Sequence, residues 1–134
     1  MATIIVLSIL LSIPTTVSYT REDYLKEVEV VPAKPAIPVI LQKISWCESR
    51  DRQFNPDGSV HRGEVNSQDV GKYQINEYYH LDTSRKLGYD IYTLEGNTSY
   101  ALYLYKHQSS KPWKWSQHCW GGNETLSELK LKYK

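Results

Sequence analysis

Residues 47–76 read CESRDRQFNPDGSVHRGEVNSQDVGKYQIN, and the fold of the chain is organised around them. The residues just before this stretch predict a helix that begins at Pro38, a favoured residue of a first turn. Ile44 and Cys47 lie on its apolar face, and Glu48, four residues after Ile44, lies on or beside that face. The sequence therefore holds a carboxylic acid at the end of an apolar helix, facing a polar and turn-rich segment.

Glu48 has two interpretations at this position. Apolar surroundings disfavour a charged carboxylate and raise its pKa, and the carbonyl end of a helix acts in the same direction. A Glu that stays protonated near neutral pH can donate its proton to a glycosidic oxygen. Alternatively, Glu48 is a solvated side chain that pairs with Arg50 or Arg52, and position alone favours this second interpretation.

The remaining pattern predicts an α+β chain that is mostly α. Asn55-Pro56-Asp57-Gly58 predicts a turn, and residues 59–66 predict a small polar β-hairpin. Further helices are predicted over residues 77–87, ended by Gly88, from Asp90 or Thr93 to about His107, and over residues 113–119.

Composition and charge narrow the possible functions. The 134 residues carry 16 Lys and Arg against 15 Asp and Glu, a net charge of +1, which provides no basic field for nucleic acid. Eleven Tyr and four Trp stand against one Phe. Such rings suit a groove that holds a sugar, although they serve equally well in place of Phe in a core.

Four segments are predicted along the chain. Residues 1–18 are a signal peptide, because a short apolar run ends at Pro14 before small residues, or else an uncleaved membrane anchor. Residues 19–36 form a Pro-rich linker. Residues 37–120 form the folded domain, and residues 121–134 are a polar tail that is expected to fray. The protein is expected to be secreted or held in the cell envelope, reaching the membrane only through an uncleaved N-terminal segment.

The two cysteines, Cys47 and Cys119, allow one disulfide or two free thiols, and export would favour the bridge. Neither has a partner at the spacing of a zinc site, although His118 adjoins Cys119. The sequence also has no nucleotide-binding motif, so no metal and no cofactor are expected.

Three motifs, taken in order, resemble the lysozyme-like superfamily and specifically its soluble-lytic-transglycosylase type of domain. Glu48-Ser49 at the end of the first helix is similar to the family's Glu-Ser motif, and Gly71-Lys72-Tyr73-Gln74-Ile75-Asn76 is similar to its Gly-Leu-Met-Gln-Ile motif. The predicted helix over residues 97–105 is similar to the family's Asn-containing helix. The resemblance covers residues 38–120 and implies a lysozyme-like domain with the polar hairpin beside a cleft.

The resemblance implies roles for individual residues. Glu48 would be the general acid and then the base, and Ser49 would orient the substrate or Glu48. Gln74 would bind an N-acetyl or hydroxyl group of the glycan. Five further residues are expected to contact the sugar: Tyr73, Asn76, Tyr100, Tyr103 and Trp113. Asn76 serves equally well as a helix N-cap.

The C-terminal half departs from the family in one feature and resembles it in another. The family's Ala-Tyr-Asn-Ala-Gly motif, whose Tyr steadies the catalytic Glu, is missing here, so Tyr100, Tyr103 or Tyr105 would have to replace it. The Trp-rich ending over residues 113–120 is similar to the last helix of lysozyme-like domains. Cys119 in that helix would bridge to Cys47 and pin the helix that presents Glu48.

The implied substrate is the β-1,4 bond between N-acetylmuramic acid and N-acetylglucosamine. A hydrolase needs two carboxylates. A lytic transglycosylase needs one, because its Glu next takes the proton of the muramyl 6-hydroxyl as an anhydro ring closes. Glu64 in the predicted hairpin is the best candidate for a second carboxylate, since turn geometry explains Asp57 and Asp69. The one-acid mechanism is favoured, with hydrolysis left open.

Two other classes of function stay open. A catalytically inactive domain of this kind would bind glycan without cleaving it, and a structural or adhesion protein would do neither. The expected partners are peptidoglycan glycan strands and no nucleic acid, and the protein is expected to be a monomer.

Overall fold

The computed structural model describes residues 34–134. These residues are mostly helical and carry a small two-stranded antiparallel sheet, which confirms the predicted α+β, mostly α class. The predicted signal peptide, residues 1–18, and the predicted linker up to residue 33 lie outside the described residues. Within residues 34–134, no helix is both long and apolar enough to cross a membrane.

The first helix, α1, spans Val39–Ser49 and begins directly after Pro38, as predicted. Leu41 and Ile44 are completely buried on its inner face, because they recur at helical spacing. The helix ends at Arg50, whose left-handed backbone, with φ of 59°, turns the chain away from the helix axis. Glu48 therefore lies in the last turn of a helix that is anchored by its apolar side.

The sheet pairs β1, Asp69–Val70, with β2, Ile75–Asn76, in antiparallel register. The hairpin predicted over residues 59–66 is therefore wrong in position, since Val60 makes only a single bridge to Phe54. The reason is burial: Val70 and Ile75 face the core, whereas residues 63–68 have no buried side chain.

A tight turn closes this hairpin. Gly71 has a φ of 70°, a conformation that favours glycine. A Cβ at this position would overlap the side-chain amide of Gln53. That amide accepts a hydrogen bond from Lys72 N at 2.9 Å and donates one to Tyr92 O at 3.0 Å. The turn is therefore held against the rest of the domain by one buried glutamine.

Five helical elements follow the sheet: α2, Glu77–Lys86; α3, Leu94–Gln108; a 3-10 helix, Lys111–Ser116; α4, Gln117–Trp120; and α5, Leu126–Lys132. Helix α2 ends just before Gly88, whose φ is 80°. Helix α3 is capped by Thr93, whose Oγ1 accepts a hydrogen bond from Gly96 N at 3.0 Å. Both elements confirm the predicted helices.

The core lies between α1, the hairpin and α3. Its buried apolar members are Leu41, Ile44, Val70, Tyr73, Ile75, Ile91, Tyr100, Ala101, Leu104, Trp113 and Trp120. Three of the predicted sugar-contacting rings, Tyr73, Tyr100 and Trp113, are thus core residues. The prediction is wrong for Tyr73 and Tyr100, which are 1 % exposed and line neither lobe of the groove described below. A small domain needs large side chains to fill its interior, and here tyrosines take the place of phenylalanine.

The C-terminal segment forms the folded helix α5, and the frayed tail predicted for residues 121–134 is wrong. A capping box starts the helix, with Thr125 and Glu128 bonding each other's backbone. Leu129 is completely buried, and Lys130 Nζ lies 3.3 Å from Asp51 Oδ2. The amphipathic pattern of this segment buries its apolar side against the end of α1.

A disulfide joins Cys47 to Cys119 with an S–S distance of 1.99 Å, which confirms the predicted bridge. The bond links the last turn of α1 to α4. The bond therefore fastens the helix end that carries Glu48 to the C-terminal part of the domain.

Candidate functional site

An open groove crosses the domain and divides into two lobes of about 440 and 400 Å³. Four residues line both lobes: Glu48, Asn66, Asp69 and Gln74. Since these residues come from the end of α1, the hairpin and the loop before it, the lobes meet where the three segments converge. Volumes of this size suit small-molecule ligands.

Glu48 is partly buried at this junction, and Ser116 Oγ donates a hydrogen bond of 2.5 Å to its Oε1. Burial raises the pKa of the Glu48 carboxyl above its ordinary value of 4.5, because it disfavours the charged form. The Ser116 hydrogen bond acts against this rise in pKa, whereas the negative charge of Asp69 adds to it. The group is thus biased towards the protonated acid.

Ser116 itself is fixed by two tryptophans. Trp120 Nε1 donates to Ser116 Oγ at 2.9 Å, and the Ser116 hydroxyl also lies 3.1 Å from Trp113 O. None of the motifs singles out Ser116, which lies 68 residues from Glu48 along the chain. A serine between Trp residues in a short helix carries no signal of its own, so sequence patterns could not identify it.

Asp69 faces the groove from β1. Its Oδ1 accepts hydrogen bonds from Asn76 Nδ2 at 2.7 Å and from Asn66 Nδ2 at 3.3 Å. Asn76 stands at the N-cap position of α2 but its side chain does not cap the helix. Its Oδ1 is buried and has no hydrogen-bond partner among the described residues.

Three non-glycine residues with left-handed backbone lie at or next to the groove: Arg50, Asp51 and Gln74, with φ of 59°, 63° and 47°. Such conformations are unfavourable for residues with a Cβ. Gln74 is held by its own side chain, whose Nε2 donates to Gly71 O at 2.8 Å. Gln74 lines both lobes together with Glu48, and its expected contact with an N-acetyl or hydroxyl group of a glycan stays a prediction.

Ser49 lines the first lobe but is buried. Its hydroxyl donates to Lys72 O at 2.7 Å and accepts from Arg52 N at 3.0 Å. The expectation that Ser49 binds Glu48 or the substrate directly is therefore wrong. Ser49 instead ties the end of α1 to the turn of the hairpin.

The predicted aromatic contacts are distributed differently from the expectation. Tyr73 and Tyr100 are buried, and the Tyr100 hydroxyl lies 3.1 Å from His80 Nδ1. Tyr103 stacks on Tyr100 with 5.6 Å between ring centroids and lines a separate apolar cavity. Trp113 does line the second lobe, where its Nε1 donates to Tyr73 O at 2.9 Å.

Two aromatic residues that the motifs did not identify line the second lobe. Trp115 is 85 % exposed and Tyr79 is 74 % exposed. Trp115 follows Trp113 by two residues in the 3-10 helix, and Tyr79 lies in the first turn of α2. Exposed aromatic rings on the walls of a polar groove provide flat apolar surface, which suits the faces of sugar rings.

The first lobe is more strongly charged. Arg50, Arg52 and Glu64 line it, and Glu64 is exposed. His61 also lines this lobe, and burial, together with the charge of Arg52, lowers its pKa below 6.5. Glu64 thus lies on the wall of the first lobe alone, whereas Asp69 faces both.

Within the described residues, no three His, Cys, Asp or Glu side chains gather as they would around a metal ion. Compared with family models, curated proteins and solved structures, the chain has no significant match in any of the three.

Proposed function

We propose that this protein is a peptidoglycan-cleaving glycosidase with a lysozyme-like domain, acting on the β-1,4 bond between N-acetylmuramic acid and N-acetylglucosamine. The observation that carries this proposal is the position of Glu48, a partly buried acid at the junction of two lobes. A glycan strand lying along the groove would span both lobes. One of its glycosidic oxygens would then lie beside the Glu48 carboxyl.

The lining of the groove supports a glycan as the ligand. Trp115 and Tyr79 offer apolar ring faces, while Gln74 and Asn76 offer amides. Side-chain amides both donate and accept hydrogen bonds, which suits the N–H, O–H and C=O groups of acetamido sugars. The disulfide supports an extracytoplasmic location, where peptidoglycan strands are found.

Glu48 would act twice. Burial keeps its carboxyl protonated to a higher pH than an exposed Glu, so it would donate its proton to the leaving glycosidic oxygen. The carboxylate that remains would then take a proton from the attacking hydroxyl. That hydroxyl belongs either to water, which gives hydrolysis, or to C6 of the muramyl residue, which gives an anhydro ring.

Asp69 favours water as the attacking group. It shares both lobes with Glu48, and its negative charge opposes ionisation of Glu48. Two side-chain amides donate to Asp69 Oδ1, which suits a carboxylate that only accepts. Glycosidases that hydrolyse use such a second carboxylate to stabilise or attack the sugar cation. We therefore propose Asp69, in place of Glu64, for this role.

The test is mass spectrometry of the products that the full chain releases from purified peptidoglycan. Reducing N-acetylmuramic acid ends are expected, and Glu48→Gln should lower their rate of release by at least about a hundredfold, the usual contribution of a general acid. Anhydro-muramyl ends would contradict the hydrolytic mechanism. If the wild type binds glycan but releases no products, the protein is an inactive binding domain instead.

Asp69→Asn and Glu64→Gln form a matched pair in the same assay. Both remove one negative charge from the groove, but only Asp69 faces both lobes. Asp69→Asn should reduce kcat by about a hundredfold or more, whereas Glu64→Gln should stay within a few-fold of the wild type. Equal losses in the two variants would reject the assignment of Asp69.

A further inference from the structure

Ser116 Oγ has three polar neighbours, and together they account for its full hydrogen-bonding capacity. Glu48 Oε1 lies at 2.5 Å, Trp120 Nε1 at 2.9 Å and Trp113 O at 3.1 Å. A serine hydroxyl has one hydrogen to donate and two lone pairs to accept with. Trp120 can only donate and Trp113 O can only accept, so the single variable partner is Glu48.

This arrangement permits two hydrogen-bond patterns, and each engages the Ser116 hydrogen and at least one of its lone pairs. When Glu48 is ionised, the Ser116 hydroxyl donates to its carboxylate and accepts from Trp120. When Glu48 is protonated, its O–H donates to Ser116, and the Ser116 hydrogen turns to Trp113 O. In both patterns Ser116 keeps the bond from Trp120, so the change needs only a rotation of one hydroxyl hydrogen.

We propose that Ser116 is a positioning residue that serves Glu48 in both protonation states, donating to the carboxylate and accepting from the acid. This proposal rests on the proposed function, because Glu48 needs a fixed orientation in both protonation states only if it acts first as an acid and then as a base. A group that acts first as acid and then as base must keep its orientation in both states. Ser116, held by Trp120 and Trp113, provides that constancy.

The donated bond should strengthen as Glu48 loses its proton, because hydrogen bonds to charged groups are stronger than those to neutral ones. Ser116 would thus stabilise the transition state more than the ground state, which is the condition for raising kcat. By stabilising the carboxylate, it also limits the rise in the pKa of Glu48 that burial causes.

Other charges act on Glu48 and must be kept constant in a test. The ionisable side chains that line the two lobes with it are Arg50, Arg52, His61, Glu64, Asp69, Tyr79 and His80. Ser116 is uncharged, so replacing it changes none of them. A change in the titration midpoint of Glu48 can then be assigned to the loss of the Ser116 hydroxyl.

The direct test is an NMR titration of the full chain carrying ¹³C in its Glu carboxyl groups, with the Glu48 signal assigned from Glu48→Gln. In Ser116→Ala the Glu48 midpoint should move to higher pH, because the carboxylate loses its donor. Ser116→Thr, which keeps the hydroxyl, should restore the wild-type midpoint. Ser110→Ala is the matched control, since the structure gives the Ser110 hydroxyl no hydrogen bond among the described residues.

The same variants should differ in kcat on peptidoglycan. Ser116→Ala should lower kcat by roughly ten- to a hundredfold, the equivalent of one hydrogen bond to a charged group, and the alkaline limb of its pH profile should move upwards. Ser116→Thr should recover most of the rate. A Glu48 midpoint that is the same in Ser116→Ala and wild type would overturn the proposal.

The two proposals can fail separately. If the wild type releases no glycan fragments but its Glu48 midpoint moves in Ser116→Ala, the proposed function fails and the control of Glu48 by Ser116 stands. If the wild type cleaves glycan, and neither the Glu48 midpoint nor kcat changes in Ser116→Ala, the proposed glycosidase function is supported and the positioning role of Ser116 is rejected.

Discussion

Cys47 and Cys119 are bonded to each other, and each directly precedes a residue of the network around the groove. Cys47 is followed by Glu48, and Cys119 is followed by Trp120, whose indole nitrogen holds Ser116. The covalent bond therefore joins the acid and its supporting network immediately beside the hydrogen bond between them. One crosslink stabilises the fold and fixes the site.

Removal of this bond should destabilise the domain strongly. The cysteines are 72 residues apart in the chain, and closing a loop of that length in the unfolded state is worth about 4 kcal/mol. The double variant Cys47→Ala and Cys119→Ala should lose an amount of this order in urea unfolding. An unchanged unfolding midpoint would mean that packing between α1 and α4 suffices without the crosslink.

The helices were predictable because their signals are local. Pro38 starts α1, Thr93 caps α3, and Gly88 follows the end of α2, and each acts on its own neighbours. The position of the sheet and the folding of the C-terminal segment depend instead on what covers them. The few leucines of the C-terminal segment stand among polar residues, and Leu129 is buried only because α1 supplies a surface for it.

The candidate site was predictable only where one continuous segment supplies it. Glu48 and Gln74 stand in motifs whose resemblance to a known family implies a shared cleft, and both line the same groove. Ser116 reaches Glu48 from the far end of the chain, and Tyr100 differs from an exposed tyrosine only in what surrounds it. Contacts between distant segments have no counterpart in a local pattern.

The C-terminal helix offers a test of its place in the core. Leu129 is completely buried, whereas Leu131, two residues later, is 74 % exposed. Leu129→Ala should lower the free energy of unfolding by about 2–5 kcal/mol through a cavity and lost burial, and Leu131→Ala by less than about 0.5 kcal/mol. Similar small losses in both, measured by urea unfolding, would show that α5 does not contribute to the cooperative unit.

Glu48 should make the wild type less stable as the pH rises. Because the pKa of its carboxyl is raised in the folded state, folded protein binds this proton more tightly than the unfolded chain. Stability from this group is therefore complete below the unfolded value of 4.5 and is lost as pH rises through the folded pKa.

Glu48→Gln removes that dependence and keeps the size of the side chain. The variant should be more stable than wild type at neutral pH, and the two should converge below the unfolded pKa. Urea unfolding across the acid to neutral range measures the difference. A gap between the two proteins that does not vary with pH would show that packing, and not ionisation, sets the effect, and would count against Glu48 as the buried acid of the groove.

The exposed aromatic rings on the wall of the second lobe are expected to stack against sugar rings. Tyr79 is 74 % exposed and lines the lobe, while the adjacent Tyr78 is 73 % exposed and lies outside it. The two rings meet edge to face with centroids 5.0 Å apart, so each substitution breaks the same contact between them. Only Tyr79→Ala also removes a surface on which a sugar ring could stack.

Tyr79→Ala and Trp115→Ala should each raise KM for glycan by about two- to tenfold, the effect of roughly 0.5–1.5 kcal/mol of aromatic stacking. Since these rings stand apart from the reacting bond, kcat should change less than KM. Steady-state kinetics on soluble glycan fragments, with Tyr78→Ala as the matched control, separates the two effects. If Tyr78→Ala raises KM as much as Tyr79→Ala, the loss comes from the contact between the tyrosines, and the second lobe does not hold sugar against Tyr79.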